Sequence, residues 1–347
     1  MSAKEELTAD EIALYDRQIR LWGMATQLRL RSTKILVMNL GAVGTECVKN
    51  LVLGGLNSIE ILDDSLVKVE DFTAQFFLPN DESIVGQLKL PLVYDKIKEL
   101  NPRVDLKINT NSTQKLIRDH AYLAQFDLIV ATELTKTEMI ELGRITRELD
   151  KPLYVGGLHG LFGYIFVDLI EHHSSKQLGE SSIPRQPNTE LSRNKTILGL
   201  KRDAKTKTDL VEVQDVFAPI ETIFTSKAIT PQYVHRRAMK QITPLLLTFA
   251  LLNLPPLASP EEVIDPARLK TEALQVCQDL NIDAKHLDEK YIELFSRQAY
   301  AEYSPTAAVL GGVIAQEVIR YLGKKESPVN NVLILDETVG RMPIYSM

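Results

Sequence analysis

Apolar and polar positions divide the chain into alternating elements. Lys34-Ile-Leu-Val-Met-Asn-Leu40 is an almost continuous apolar run, the pattern of a strand covered on both faces. Gly41-Ala-Val-Gly44 follows it, then a helical pattern over 45–53 that Gly54-Gly55 stops, then a second strand over 58–62. The period predicts further helices over 88–100 and 137–149, and strands over 104–108, 126–131, 153–155 and 164–170. This alternation predicts an α/β fold, a Rossmann-like doubly wound sheet.

The N-terminal segment 7–30 reads as helix, opened by the capping box Thr8-Ala-Asp-Glu11 and carrying Ile12, Leu14, Tyr15, Ile19, Leu21 and Trp22. The pattern changes near Glu171. Residues 172–208 are polar, with a hairpin expected between 196–200 and 209–213. From Thr230 to 301 the reading is helical, with Pro231 after a Thr230 cap, a kink at Pro244 and a helix start at Ser259-Pro-Glu-Glu262. A helix over 306–322 and a strand over 331–335 return to α/β grammar. The expected organisation is therefore 1–171, a mostly helical insertion over 172–300, and 301–347 completing the first domain.

Composition narrows the function classes. The 347 residues hold 44% apolar and 25% charged side chains, with 40 Lys+Arg against 46 Asp+Glu for a formal charge of −6. That balance disfavours nucleic acid as a main partner. No apolar run reaches the length of a transmembrane helix; 245–254 reads as a buried helix face. The acidic first residues lack the apolar stretch of a signal peptide. Cys47 and Cys277 alone supply neither a disulfide framework nor a zinc site, and fit a reducing compartment.

The glycine loop is the first candidate for chemistry. A dinucleotide or ATP site uses GxGxxG after a strand, so that backbone N–H groups at a helix start face phosphate. Here the first glycine is Asn39, with Gly41 and Gly44 retained and Asp63 near the place of an acidic ribose ligand. The loop reads either as a nucleotide site or as a structural remnant. Lys89 reads as a phosphate contact or a solvated lysine at a helix start. Arg17 and Arg20, one turn apart, read as surface ion-pair partners or as guanidinium groups reaching a neighbouring subunit's phosphate site. Both cysteines read as core residues. The six histidines show no metal-ligand spacing, His172-His173 reads as solvated loop, and no metal site is expected.

Taken together, several segments are more specific. Tyr15-Asp-Arg-Gln-Ile-Arg-Leu-Trp-Gly23, Leu40-Gly-Ala-Val-Gly-Thr-Glu46, Val85-Gly-Gln-Leu-Lys89, Leu100-Asn-Pro102, Ala307-Ala-Val-Leu-Gly-Gly-Val-Ile-Ala-Gln-Glu-Val318 and Pro328-Val-Asn-Asn-Val-Leu-Ile-Leu-Asp336 resemble the activating enzymes of ubiquitin-like proteins. Those are related to bacterial enzymes that adenylate sulfur-carrier proteins, the ThiF and MoeB type. Within that superfamily the chain is most similar to the smaller subunits of heterodimeric SUMO-activating enzymes.

The resemblance implies an ATP-dependent reaction. A carrier's C-terminal carboxylate is adenylated, then passed to a thioester cysteine on the large subunit. It also implies that this chain is the inactive half. Active halves carry an acidic residue where Ser65 stands, an Asn…Arg-Gln segment where Asp71 and Ala74-Gln75 stand, and an Asp where Glu133 stands. Gly41, Gly44, Asp63 and Lys89 are then a degenerate site, ATP and magnesium are bound mainly by the partner, and the insertion lacks a catalytic cysteine. Arg17, assisted by Arg20, becomes a ligand to ATP in the partner's site. The implied partners are the large catalytic subunit, SUMO and, through the complex, the SUMO-conjugating enzyme, with no membrane and no nucleic acid. The implied location is the nucleus, with the cytoplasm as a second compartment. The other readings are the small subunit of the NEDD8-activating enzyme, a self-sufficient homodimeric adenylating enzyme, and an NAD-dependent oxidoreductase.

Overall fold

Five strands pair in parallel as the core of an eight-stranded sheet in a computed structural model. It describes residues 7–347 except 180–184, 204, 230–240, 258 and 260. The parallel strands are β1 (Lys34–Met38), β2 (Ser58–Leu62), β3 (Asp105–Asn109), β4 (Leu128–Thr132) and β5 (Leu153–His159), in spatial order β3-β2-β1-β4-β5. Strand β6 (Phe162–Asp168) turns back antiparallel beside β5.

Helices cover both faces of the sheet. Ile35 and Val37 face a cluster shared with α3 (Met24–Ser32), α4 (Ala42–Gly54) and α5 (Lys89–Leu100). Leu36 and Met38 face the opposite cluster. Alternate residues of β1 thus enter two separate cores, which is why the run is apolar throughout. The short helices α6 (Thr113–Leu116) and α7 (His120–Leu123) precede β4, and α8 (Lys136–Glu148) crosses from β4 to β5 on the second face.

The segment expected to be a mostly helical insertion begins as a sheet. β7 (Glu171–Gly179), β8 (Thr189–Ser192), β9 (Lys195–Asp203) and β10 (Thr208–Val216) form a separate antiparallel sheet in order β7-β10-β9-β8. The β9–β10 hairpin is the one expected from the sequence. Strand β7 escaped notice because its buried positions, His172 and Ser174, are polar. His172 and His173 therefore lie on a strand, not in a loop; His172 is buried with Nε2 3.2 Å from the Tyr321 carbonyl. The basic stretch 193–207 belongs to this sheet. Lys195 pairs with buried Asp215 at 3.2 Å, and Arg202 and Arg185 both reach buried Asp209 at 3.1 Å.

After α9 (Ile220–Ile223) come α10 (Thr243–Asn253), α11 (Pro266–Asp279) and α12 (Glu289–Gln298). Their apolar residues merge with Met139 and Leu142 of α8 and with Leu36 in one core. They are the second covering layer of the main sheet. Helix α10 is buried on nearly every side, not along one face. Pro244 does not kink it but sits in its first turn, where a missing N–H leaves nothing unpaired. The expected start at Ser259 falls later, at Asp265, whose carboxylate caps Ala267 N–H ahead of Pro266. The expected Thr230 cap and Pro231 lie outside the described residues. Helix α13 (Ser304–Gly323) packs against α4, and β11 (Val332–Asp336) with β12 (Ile344–Tyr345) closes the sheet beside β6. No described helix is long and apolar enough to cross a membrane.

The N-terminal segment is three helices, not one: α1 (Ala9–Leu14), α2 (Asp16–Trp22) and α3, broken at Tyr15 and at Gly23, whose φ of 89° no helix tolerates. The Thr8–Glu11 capping box forms as expected. Side-chain amides tie this segment to the last carbonyls of α4, groups that a helix leaves unpaired. Asn101 donates to Val52 O at 3.0 Å, Gln18 to Leu53 O at 3.1 Å and Gln27 to Gly54 O at 3.0 Å. Asn101 also donates to the Tyr15 hydroxyl at 2.8 Å. The Tyr15 ring lies against Gly55, whose φ of 79° and lack of a Cβ let it approach. Asn101→Ala strips a partner from buried Val52 O and Tyr15 OH. It is expected to lower stability by about 1–3 kcal/mol, measured as a shift in denaturant midpoint at unchanged slope.

Candidate functional site

The turn after β1 brings Gly41, Gly44, Asp63 and Lys89 together, as expected, and its details explain the altered fingerprint. Asn39 occupies the first glycine position at φ 64°, a left-handed conformation that asparagine tolerates better than most residues. Its side chain donates to Thr132 O at 2.7 Å. Gly44 is required because a Cβ there would overlap the Asn39 carbonyl oxygen. The helix start that could face phosphate is thus built.

Every charged group around that helix start is already engaged. Asp63, at the end of β2, accepts Leu40 N–H at 2.8 Å and Ser65 N–H at 2.7 Å, so both its oxygens hold backbone and neither is left solely for a ribose. Lys89 is buried, not a solvated lysine. Its ammonium donates to Asp71 at 3.0 Å and lies 3.5 Å from Leu40 O. Burial opposes its charge, but Asp63, Asp71 and Glu302 outweigh that and hold its pKa above the ordinary value. Gln75 donates to Leu40 O at 2.8 Å and accepts from Thr45 Oγ1 at 2.5 Å, while Ala74 packs in the core.

Two glutamates occupy the anion position. Glu302, on the linker before α13, accepts Ala42 N–H at 2.9 Å, the first N–H of α4. Glu133, beyond β4, lays its carboxyl against Gly41, where a Cβ would overlap it. Glu133 is exposed as a residue, but its carboxyl is crowded by protein. That crowding and then the adjacent Glu302 carboxyl push its pKa well up. A cavity of about 120 Å³ beside the pair is lined by His159, Tyr164 and Tyr300. His159 accepts Tyr300 N–H at Nδ1 (3.1 Å), and burial holds its pKa down at about 3, so the ring is neutral. Glu302 had no sequence signal: it lies far from the glycine loop and in no motif. Glu133 was visible only as a departure from the expected Asp.

Arg17 and Arg20 are not part of this cluster. They sit on α2, which docks on the C-terminus of α4, while the cluster sits at its N-terminus. Helix α4 has 13 residues, which span about 20 Å at 1.5 Å per residue. Arg17 is exposed, and no hydrogen bond or ion pair joins it to the described residues. Arg20 is exposed and paired with Asp16 at 3.0 Å. Beside them α2, α4 and α13 enclose an apolar groove of about 490 Å³, edged by Leu21, Trp22, Leu53 and Ile319. Leu21 is 81% exposed and Leu14 58%, so this helical segment turns apolar side chains outward.

The cysteines offer no nucleophile. Cys47 is fully buried, which drives its pKa up to about 12, and burial also raises that of Cys277. No three His, Cys, Asp or Glu among the described residues are grouped to hold a metal ion.

Residues 15–346 match the ThiF family. The chain is 38% identical to the DNA damage tolerance protein RHC31 of Saccharomyces cerevisiae, over 98% of each. It is 30% identical to the DNA damage tolerance protein rad31 of Schizosaccharomyces pombe, again over 98% of each. To the human SUMO-activating enzyme subunit 1 it is 28% identical, over 98% of this chain and 97% of that one. Among solved structures, PaaA shares the fold at a TM-score of 0.57 and 13% identity, covering all of this chain and 76% of the other.

Proposed function

The chain belongs to the ThiF family, and from that premise we propose that it is the small, noncatalytic subunit of a heterodimeric SUMO-activating enzyme. Its relatives named SUMO-activating enzyme subunit 1, matched nearly end to end, support the assignment. The large subunit binds ATP and magnesium. There the SUMO C-terminal carboxylate attacks the α-phosphorus, pyrophosphate leaves, and the acyl-adenylate is captured by a thiolate of the large subunit as AMP departs. The complex then passes SUMO to its conjugating enzyme. This chain supplies no nucleophile, and its place of work is the nucleus and, secondarily, the cytoplasm.

One observation carries the noncatalytic reading: Ala42 N–H, which phosphate needs, is held by Glu302, with Glu133 over Gly41. A self-sufficient homodimer and an NAD-dependent oxidoreductase both need that position free for phosphate. A NEDD8-type small subunit is disfavoured by the subunit names of the relatives.

Arg17 is the residue through which the chain acts. It is about 20 Å of helix away from its own glycine loop, and the anchors at Asn101, Gln18 and Gln27 hold its helix outward. A guanidinium so placed serves a phosphate on another subunit. The apolar groove and exposed Leu21 supply surface for that subunit, as an obligate interface requires. The test is SUMO thioester formation on the large subunit with and without this chain. A thioester that forms only in its presence is the expected result; equal formation in its absence refutes the assignment.

A further inference from the structure

Glu133 combines two unfavourable features. Its backbone lies at φ 57°, a left-handed conformation that side chains other than Gly, Asn and Asp rarely adopt. Its carboxyl sits beside that of Glu302 with Asp63 behind, against one nearby cation, Lys89, already shared with Asp71. Strained residues of this kind cluster at functional positions. Burial in a core does not explain this one, because the residue as a whole is exposed. What the residue does achieve is geometric: with Glu302 on Ala42 N–H, it fills the space over Gly41 that a phosphate would take.

We infer that Glu133 and Glu302 form a built-in anion that keeps polyphosphate out of this chain's own glycine loop. The exclusion stands on the geometry alone. Its consequence, that nucleotide is committed to the large subunit, rests on the function proposed above. Neither missing ligand does this work: Ala74 and Ser65 weaken a site, whereas two carboxylates fill it. The groups facing Glu133 are Glu302 on the linker before α13, Asp63 after β2, Lys89 on α5, Tyr164 on β6, His159 on β5 and Tyr300. His159 is neutral over the physiological range, so the balance there is set by carboxylates against one lysine.

The test uses the heterodimer with the large subunit's site filled by a non-hydrolysable ATP analogue. Tripolyphosphate, which carries no adenosine, is titrated calorimetrically with and without Mg²⁺ into wild type, Glu133→Gln and Glu133→Ala/Glu302→Ala. Wild type is expected to show no saturable second binding, the double variant binding at least tenfold tighter, and Glu133→Gln, which preserves size and fold, an intermediate value. Equal affinity in wild type and the variants overturns the inference. Thermal melts from pH 5.5 to 8.5 read the like-charge element separately. A carboxyl whose pKa is raised in the folded state loses stability as pH rises through that pKa. Glu133→Gln is therefore expected to melt above wild type by a margin that grows with pH; a margin that is constant or reversed contradicts it. If the wild-type complex fails to adenylate SUMO, the function proposed above falls, while the titration still decides the exclusion.

Discussion

Arg17→Ala is expected to lower adenylate formation by the heterodimer about 10²-fold or more while leaving its assembly and melting temperature unchanged. Removing one fixed donor to developing charge typically costs about 10²–10³ in rate, and an arginine contributed across an interface to a phosphate can be worth more. The second half of the expectation follows from position. Arg17 is exposed and unpaired among the described residues, so its loss disturbs no packing. Arg17→Lys keeps the charge but not the planar fork, and is expected to fall between wild type and alanine. Arg20→Ala removes an exposed pair with Asp16, worth about 1 kcal/mol at most, and is expected to have a smaller kinetic effect. Pyrophosphate exchange by purified complexes measures all three; an unchanged rate in Arg17→Ala removes the in-trans role.

Lys89→Met is expected to act on stability instead. From its place at a helix start this lysine reads as a phosphate contact or a solvated lysine, but here the ammonium is buried and held by Asp71, with Asp63 and Glu302 in its field. Removing the cation leaves carboxylates facing one another in a site with little access to water. Breaking a buried pair from one side costs about 3–5 kcal/mol, and denaturant unfolding should show a loss of that size. Exchange per folded heterodimer should be unaffected. Slower exchange at full stability would mean that Lys89 still meets nucleotide.

The two-faced character of the main sheet was legible because β1, β4 and β5 are apolar on consecutive positions, and helices between them carry the 3.6-residue period. The antiparallel sheet over 171–216 was legible only at its β9–β10 hairpin. Its buried positions include His172, Ser174, Asp209 and Asp215, so hydrophobic alternation is interrupted by polar groups, of which Asp209 is held by Arg185 and Arg202, Asp215 by Lys195 and His172 by the Tyr321 carbonyl. The helices α10, α11 and α12 fall within the span read as helical from Thr230 to 301, but their role was not legible: periodicity shows which face is apolar, never which surface covers it. Of the site, the glycine loop, Asp63 and Lys89 were readable from spacing. The Glu133–Glu302 pair was not, since it depends on a left-handed backbone and on a contact between distant segments. The Tyr15 and Asn101 motifs were seen as marks of a family. Their physical meaning, side-chain amides capping α4 beside exposed Arg17, lies in contacts between distant segments that no spacing reveals.

On the function proposed above, this chain completes an adenylation site that it does not itself contain. The most direct measurement is SUMO-dependent ATP–pyrophosphate exchange by this chain alone, by the large subunit alone, and by the two mixed. Exchange is expected only in the mixture. Exchange by this chain alone would refute that role, because phosphate would then be using a helix start that Glu302 and Glu133 hold.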